Sequence, residues 1–409
     1  MLRRHHRTSI VLSGGGSRGA YEAGVINYIR TMLPPRLAKN LHFSILSGTS
    51  VGAINAAFMA STADDINKQG NDLIKLWKNI LTNEIYSRGP FSLGKLFMRS
   101  AFGILANLTG LKGILKPNDY HVHFQGLFDT KPFFQYLLKN CDWNRITKNL
   151  NAGYFDALSI TATNIQSGQV ELFLEKNPDL DVHSRFLIHE VKISPRHVMA
   201  SAALPMLFPA VPIQGIYYND GGLRLSTPLG PAVSLGATKI LLIGTKYTDP
   251  NPQVAPEQNK IPTLASILGK FFHAALQDRI NADREQLTRI NRILETIQKI
   301  AGQQTFEKIC KEARVAPIEI ISFFPSYDIA KMVDQTLRKS FTNLKTFGIF
   351  ERFVIRLLEI DVSTGSDLLS YFLFEPTYIA NLVELGFEDA RKKHDQLVEF
   401  AESSIRSEE

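Results

Sequence analysis

One pentapeptide constrains this chain more than any other feature. Gly48-Thr49-Ser50-Val51-Gly52 is a G-x-S-x-G turn; it follows an apolar run at 42–47 (HFSILS) and opens a helical stretch of small residues from Ala53 to Ala60. A serine between strand and helix, with a glycine two residues to either side, predicts a sharp turn that lifts its hydroxyl into a cleft. Such a turn needs a layered α/β sheet around it, and the N-terminal part of the chain reads that way. Strand-like runs at 8–13 (TSIVLS), 157–164 (ALSITATN), 169–174 and 238–244 (TKILLIG) alternate with helical patterns such as Ala20–Met32. That alternation predicts a mainly parallel sheet with helices on its faces.

A second glycine turn lies one strand away. Gly14-Gly15-Gly16-Ser17-Arg18-Gly19 follows the run at 8–13 and precedes the helix at 20–32. Gly14, Gly16 and Gly19 satisfy G-x-G-x-x-G, but a dinucleotide site also needs an acidic residue about 20 positions on for the ribose. Between Glu22 and Asp64 there is no Asp or Glu, and no Gly-Lys-Ser/Thr closes the turn as a P-loop would. The turn remains suited to presenting backbone N–H groups to a developing oxyanion at a helix N-terminus. Arg18 fits either a fixed positive charge beside that site or a structural ion pair. In a parallel sheet both glycine turns fall at the carboxyl ends of neighbouring strands, where α/β ligands bind.

A serine nucleophile needs a proton acceptor. The histidines after Ser50 are His121, His123, His183, His189, His197, His273 and His394. His273 and His394 fall in helical patterns and His197 on a helix face, which fits packing better than catalysis. In Tyr217-Tyr218-Asn219-Asp220-Gly221-Gly222 an aspartate ends an aromatic strand before two glycines. That pattern serves equally as a base at a strand end or as an Asp-Gly hairpin turn.

Taken together, GGGSRG (14–19), GTSVG (48–52) and NDGG (219–222) resemble the patatin-like phospholipases in order and separation. The stretch 200–244 resembles that family's segment through and beyond its catalytic aspartate; TATNIQSGQ (161–169), GLFDTKPF (126–133) and ELGFEDARKK (384–393) resemble further segments of bacterial members. The resemblance covers residues 8–245 and implies a three-layer α/β/α fold with a mainly parallel central sheet and a Ser–Asp dyad. By position it makes Ser50 the nucleophile, Asp220 its base, and the turn Gly14–Gly19 the oxyanion site through the amides of Gly15 and Gly16. Arg18 matches the family's basic position, and Gly48, Gly52, Gly221 and Gly222 complete the motifs. The implied activity is that of a serine lipid acyl hydrolase, of phospholipase A or lysophospholipase type. An acyltransferase or thioesterase using the same dyad, or a non-catalytic lipid-binding module, is the alternative.

No cofactor or metal is expected, since neither EF-hand nor zinc spacing is present. Two cysteines, Cys141 and Cys310, cannot build a disulfide framework and read as apolar fillers in a reducing compartment. The net charge of +7 favours an anionic partner. Without a basic stripe interleaved with aromatics on a known module, that partner is a lipid or membrane surface and not nucleic acid. Residues 85–118 contain no acid, but they carry Arg88, Lys95, Arg99, Lys112 and Lys116 among many apolar residues. This composition fits a lid or membrane-docking segment as well as a buried helix pair with basic flanks. A second basic, aromatic pattern at 338–358 reads as a helix buried on the catalytic domain.

The basic N-terminus has too short an apolar run for a cleavable signal. No stretch approaches the roughly 18 apolar residues of a spanning helix. The expected location is cytoplasmic or peripheral to a membrane. The Pro- and Asn-rich stretch 249–260 separates a catalytic domain (8–248) from a mainly helical C-terminal region (249–409) with one strand at 318–323.

Overall fold

Strands buried on both faces arise where helices cover both sides of a sheet, and the strands of this chain have that character. A computed structural model describes residues 7–85, 87–88, 126, 128–247, 280–313, 315–341 and 369–408. The basic segment at 89–118, most of the pattern at 338–358 and the connector 249–260 lie outside the described residues.

The principal strands are β1 (Arg7–Leu12), β2 (Ile45–Thr49), β5 (Ala157–Asn164), β6 (Val170–Lys176), β7 (Leu187–Glu190), β8 (Val211–Ile213), β9 (Ile216–Asp220), β10 (Ala237–Ile243) and β11 (Glu319–Phe323). Two short strands, β3 (Ser87–Arg88) and β4 (Phe128–Asp129), pair only with each other. The main sheet runs β11-β10-β1-β2-β5-β6-β7, with β8 and β9 forming a hairpin attached to β5. From β11 to β5 all neighbours are parallel. β6 pairs antiparallel with β5, and β7 runs parallel to β6.

The alternation of side chains divides the core into two layers. Ile10, Leu12, Leu241 and Ile243 face one cluster, which includes residues of the helices Gly19–Thr31, Val51–Ser61 and Pro376–Lys392. Val11, Ile240 and Leu242 face the other, with Leu229 and Ala232 of the helix Leu229–Ser234. The result is the expected three-layer α/β/α arrangement.

The C-terminal region is built into this body. β11, predicted at 318–323, extends the sheet edge beside β10, pairing Lys239 with Glu319 through Ile243 with Phe323. The helix Pro376–Lys392 lies directly on Gly19–Thr31. A Cβ on Gly24 would come 2.0 Å from the Val383 carbonyl oxygen, and one on Gly386 would come 2.1 Å from that of Tyr21. These two glycines let the helix backbones touch. A long helical segment, Ile280–Glu312, is broken at Gly302 (φ 74°) and carries its own small cluster of Leu294, Phe306 and Cys310.

β2 differs from its prediction at 42–47. His42–Ser44 precede the pairing, while Gly48 and Thr49 pair with Ile160 and Thr161. Backbone hydrogen bonding to β5 therefore carries the strand up to Ser50, so the turn is tighter than the apolar run suggests.

Candidate active site

β2 and β9 share one edge of β5. β2 runs parallel along it as far as Thr49 opposite Thr161, and β9 runs antiparallel as far as Asp220 opposite Ala162. The two strands thus meet end to end, and the residues at the meeting point are Ser50 and Asp220. The Ser50 hydroxyl donates a hydrogen bond of 2.6 Å to Asp220 Oδ2.

Ser50 has φ 55° and ψ −122°, a left-handed conformation that costs a non-glycine residue about 1–3 kcal/mol. The surroundings enforce it. A Cβ on Gly48 would lie 2.3 Å from the Gly52 carbonyl oxygen, and one on Gly52 would lie 2.3 Å from that of Leu12, so the elbow packs backbone against backbone. The Ser50 amide donates to Ser201 Oγ at 2.8 Å. The helix Val51–Ser61 starts immediately afterwards with no acid in its first turn, which leaves its positive end aimed at the serine.

Asp220 is held from three sides. Its Oδ1 accepts from the Gly222 amide at 2.7 Å, its own amide donates to Ala203 at 2.9 Å, and its carbonyl accepts from Thr163 Oγ1 at 2.9 Å. Burial pushes its carboxyl up to about 7, offset in part by the Ser50 hydroxyl and the Gly222 amide, which favour the ionised form. A carboxylate near neutrality is matched to general-base work. The hairpin turn of this region is not at Asp220-Gly221. It lies earlier, at Gln214-Gly215 between β8 and β9, where φ values of 49° and 84° fit a two-residue hairpin loop. Gly221 and Gly222 instead open a short 3₁₀ turn.

The glycine turn after β1 lies against this pair. A Cβ on Gly14 would sit 3.2 Å from Ser50 Cβ. The Gly14 amide is committed to Ser226, that of Ser17 to Tyr371, that of Arg18 to Gly15, and that of Gly19 to Gly16 and Ser17. Among the described residues the amides of Gly15 and Gly16 have no acceptor. Within the turn expected to form the oxyanion site, the amides of Gly15 and Gly16 are the two without acceptors; the other four are bonded to Ser226, to Tyr371 and to carbonyls of the turn itself. Arg18 is buried, with its guanidinium directed at Ser370 Oγ (Nε at 2.9 Å) and lying 4.2 Å from the centre of the Tyr371 ring.

Around these groups runs a small cleft lined by Gly14, Gly15, Gly16, Ser50, Asp220 and Tyr371, among others. It opens into an apolar cavity walled by Ile54, Leu76, Trp77, Phe133, Leu137 and Phe374, among others. Gly16, Ser50, Leu204 and Tyr371 line both spaces. Among the described histidines none bonds to Ser50 or Asp220. His197 caps its own helix through Ser194, and burial pushes its imidazole down to about 4. His189 Nε2 donates to the Glu171 carboxylate, and His394 bonds to Tyr28. Among the described residues no group of His, Cys, Asp and Glu could hold a metal, and no helix is long and apolar enough to cross a membrane.

The model of the family described as patatin-like phospholipase matches residues 10–233, more than half of the 409. The chain belongs to the patatin-like phospholipase family. The match includes both glycine turns, Ser50 and Asp220, and family membership makes lipid acyl hydrolysis the general class of chemistry. Two solved structures are similar to this patatin-like chain. One is VipD from Legionella pneumophila, 16% identical, with a TM-score of 0.36 and coverage of 96% of this chain and 67% of that one. The other is human GIVD cytosolic phospholipase A2 in complex with methyl γ-linolenyl fluorophosphonate, 10% identical, with a TM-score of 0.45 and coverage of 99% and 60%. The chain thus spans only part of the length of either. Among curated proteins none matches it.

Several site residues of this patatin-like protein escaped sequence reasoning. Ser201, which accepts from the Ser50 amide, sits in an Ala-rich helix end with nothing to mark it. Asn55 and Glu22 were better signalled: Asn55 interrupts a helix of small apolar residues, and Glu22 is the sole acid before Asp64. Tyr371 could not have been found from spacing, being more than 300 residues from the turns it touches.

Proposed function

We propose that the protein hydrolyses fatty-acyl esters of membrane lipids, with Ser50 as nucleophile and Asp220 as its base. Asp220 Oδ2 takes the hydroxyl proton as Ser50 Oγ bonds to the ester carbonyl carbon. Negative charge develops on the carbonyl oxygen, and the free amides of Gly15 and Gly16 receive it; one such donor contributes on the order of 10²–10³ in rate. The tetrahedral intermediate collapses by breaking the bond to the lipid alcohol, which leaves with the proton from Asp220. Water then gives a proton to Asp220 as its oxygen attacks the acyl-serine. Collapse returns that proton to Ser50 Oγ and releases the fatty acid. The acyl chain occupies the apolar cavity that opens from Ser50.

The observation that carries this reading is the 2.6 Å hydrogen bond between the Ser50 hydroxyl and a buried carboxylate, beside two amides without acceptors. The net charge of +7 favours work at an anionic lipid surface.

The test uses the purified chain, an alkyl fluorophosphonate and mixed liposomes. Wild type should be labelled covalently and should release free fatty acid, and Ser50→Ala and Asp220→Asn should do neither. Labelling that persists in Ser50→Ala would sink the assignment. Transfer of the acyl group to another alcohol or thiol, with little free acid, would point to an acyltransferase.

A further inference from the structure

Family membership rests on residues 10–233, yet the walls of the cavity do not all come from there. Tyr371, Phe372 and Phe374 line it too, and Tyr371 also lines the cleft around Ser50 and Asp220. These residues belong to a short segment, Leu369–Phe374, that is fastened to the glycine turn by buried groups. The Ser17 hydroxyl donates to the Ser370 carbonyl at 2.8 Å, and the Ser17 amide to the Tyr371 carbonyl at 2.9 Å. Tyr378 donates to the same Ser370 carbonyl at 3.0 Å. Arg18 reaches the Ser370 hydroxyl and stacks on the Tyr371 ring. Gly16, at φ 58°, leaves room for the Tyr371 carbonyl, which a Cβ there would approach to 2.2 Å.

This wall is fixed. Ser17 and Ser370 are fully buried, Arg18 and Tyr371 nearly so. Phe372 meets Phe208, another cavity residue, ring edge to ring face at 6.4 Å. Tyr371, with Gly16, Ser50 and Leu204, lines both the cleft and the cavity. The other lining residues, among them Leu76, Trp77, Phe133 and Leu137, are equally apolar. Such a cavity suits an unbranched acyl chain whose methylenes its apolar lining covers, each fully covered methylene gaining about 0.8 kcal/mol.

We propose that Leu369–Phe374 is the selectivity wall of the acyl site: its aromatic side chains cover the bound chain, so preference for long acyl chains is set outside the family's shared domain. The inference rests on the acyl-hydrolase reading and goes beyond it in naming the residues that choose the substrate. Phe374 and Phe372 are specificity determinants, and Arg18 is a positioning residue that acts through Ser370 and Tyr371.

The experiment measures kcat/KM of the full chain on p-nitrophenyl esters from butyrate to palmitate. The readout is the palmitate-to-butyrate ratio, which is insensitive to how much active protein is present. Phe374→Ala should lower that ratio about ten-fold, the loss expected when one or two methylenes lose their cover. Phe372→Leu, at a half-buried position, should lower it by roughly two- to three-fold and serves if Phe374→Ala does not fold. Ile300→Ala, on the exposed face of Ile280–Glu312, should leave the ratio unchanged. An unchanged ratio in the folded segment variants, or an equal fall in Ile300→Ala, overturns the inference alone. A wild-type chain that neither turns over any ester nor reacts with a fluorophosphonate overturns the hydrolase reading, and the inference with it.

Discussion

The side-chain amide of Asn55 donates at 2.8 Å to the carboxyl of Glu22, and this pair ties the helix behind the nucleophile to the helix behind the glycine turn. The same amide group donates to the Gly19 carbonyl at 3.1 Å, and Asn55 Oδ1 accepts from Trp77, a wall residue of the cavity, at 2.9 Å. One buried asparagine therefore registers Ser50, the free amides of Gly15 and Gly16, and the cavity wall against each other. Burial holds the Glu22 carboxyl well above the usual range, against the opposing hydrogen bonds of Asn55 and the Ser13 backbone.

Asn55→Ala should destabilise the protein by about 2–4 kcal/mol in urea unfolding, because it strands the Glu22 carboxyl and the Trp77 N–H in the core. Glu22→Gln, which copies the neutral acid in shape and still accepts from Asn55, should stay within about 1 kcal/mol of wild type. A Glu22→Gln variant as damaged as Asn55→Ala would mean that Glu22 is charged.

The proposed base sets the pH dependence. In that role Asp220 must be ionised to accept the serine proton, and burial pushes its carboxyl up to about 7. The acid limb of kcat/KM should therefore fall with an apparent midpoint near neutrality, far above that of an ordinary aspartate. Stability should respond in the opposite sense. The folded state binds a proton more tightly than the unfolded one, so this group's contribution is full below the ordinary aspartate range and is lost as pH rises through about 7. Asp220→Asn should then abolish turnover yet raise stability at about pH 8 by ~2–4 kcal/mol more than at about pH 4. Thermal melts at the two pH values check this; an equal effect at both would contradict the raised carboxyl.

The elbow should show its strain directly. Ser50→Gly removes the Cβ from a residue at φ 55° and should be more stable than Ser50→Ala by about 1–2 kcal/mol. Equal unfolding midpoints for the two inactive variants would mean that the conformation is relaxed.

Two glycines at similar backbone angles separate the effects of conformation and contact. Gly153 (φ 78°) has open space where a Cβ would go, and Gly16 (φ 58°) has the Tyr371 carbonyl oxygen 2.2 Å from it. Gly153→Ala should cost about 1 kcal/mol and leave the kinetics alone. Gly16→Ala should lower kcat by about two orders of magnitude or more, since the displaced backbone carries a proposed oxyanion donor. Comparable kinetics for the two would remove Gly16 from the site.

The parts of the fold that were legible in the sequence are those written in local pattern. The apolar runs of β1, β5, β6 and β10, the glycine turns and the helices after them are each encoded within a few residues of themselves. Ser50 could be named because a strand end between glycines leaves a local mark, whereas Asp220 was separated from a hairpin turn only by the family resemblance. That they meet was not readable from spacing: it depends on β2 and β9 sharing one edge of β5, a pairing that the sequence does not print. Asp220-Gly221 resembled a hairpin turn because the chemistry of Asp-Gly is the same in both settings, and the actual loop at Gln214-Gly215 carries a weaker mark. Arg18 shows the limit most plainly. As an oxyanion charge or a member of an ion pair it had nearby uses, whereas its positions of contact, Ser370 and Tyr371, lie at the other end of the chain.

That distance governs the order in which the protein can mature. Arg18 and Ser370 are separated by 352 positions, and loop closure over such a span comes late in folding. A chain ending near residue 245 would lack the carbonyls of Ser370 and Tyr371, and the Ser17 hydroxyl and amide would lose the acceptors that anchor the glycine turn.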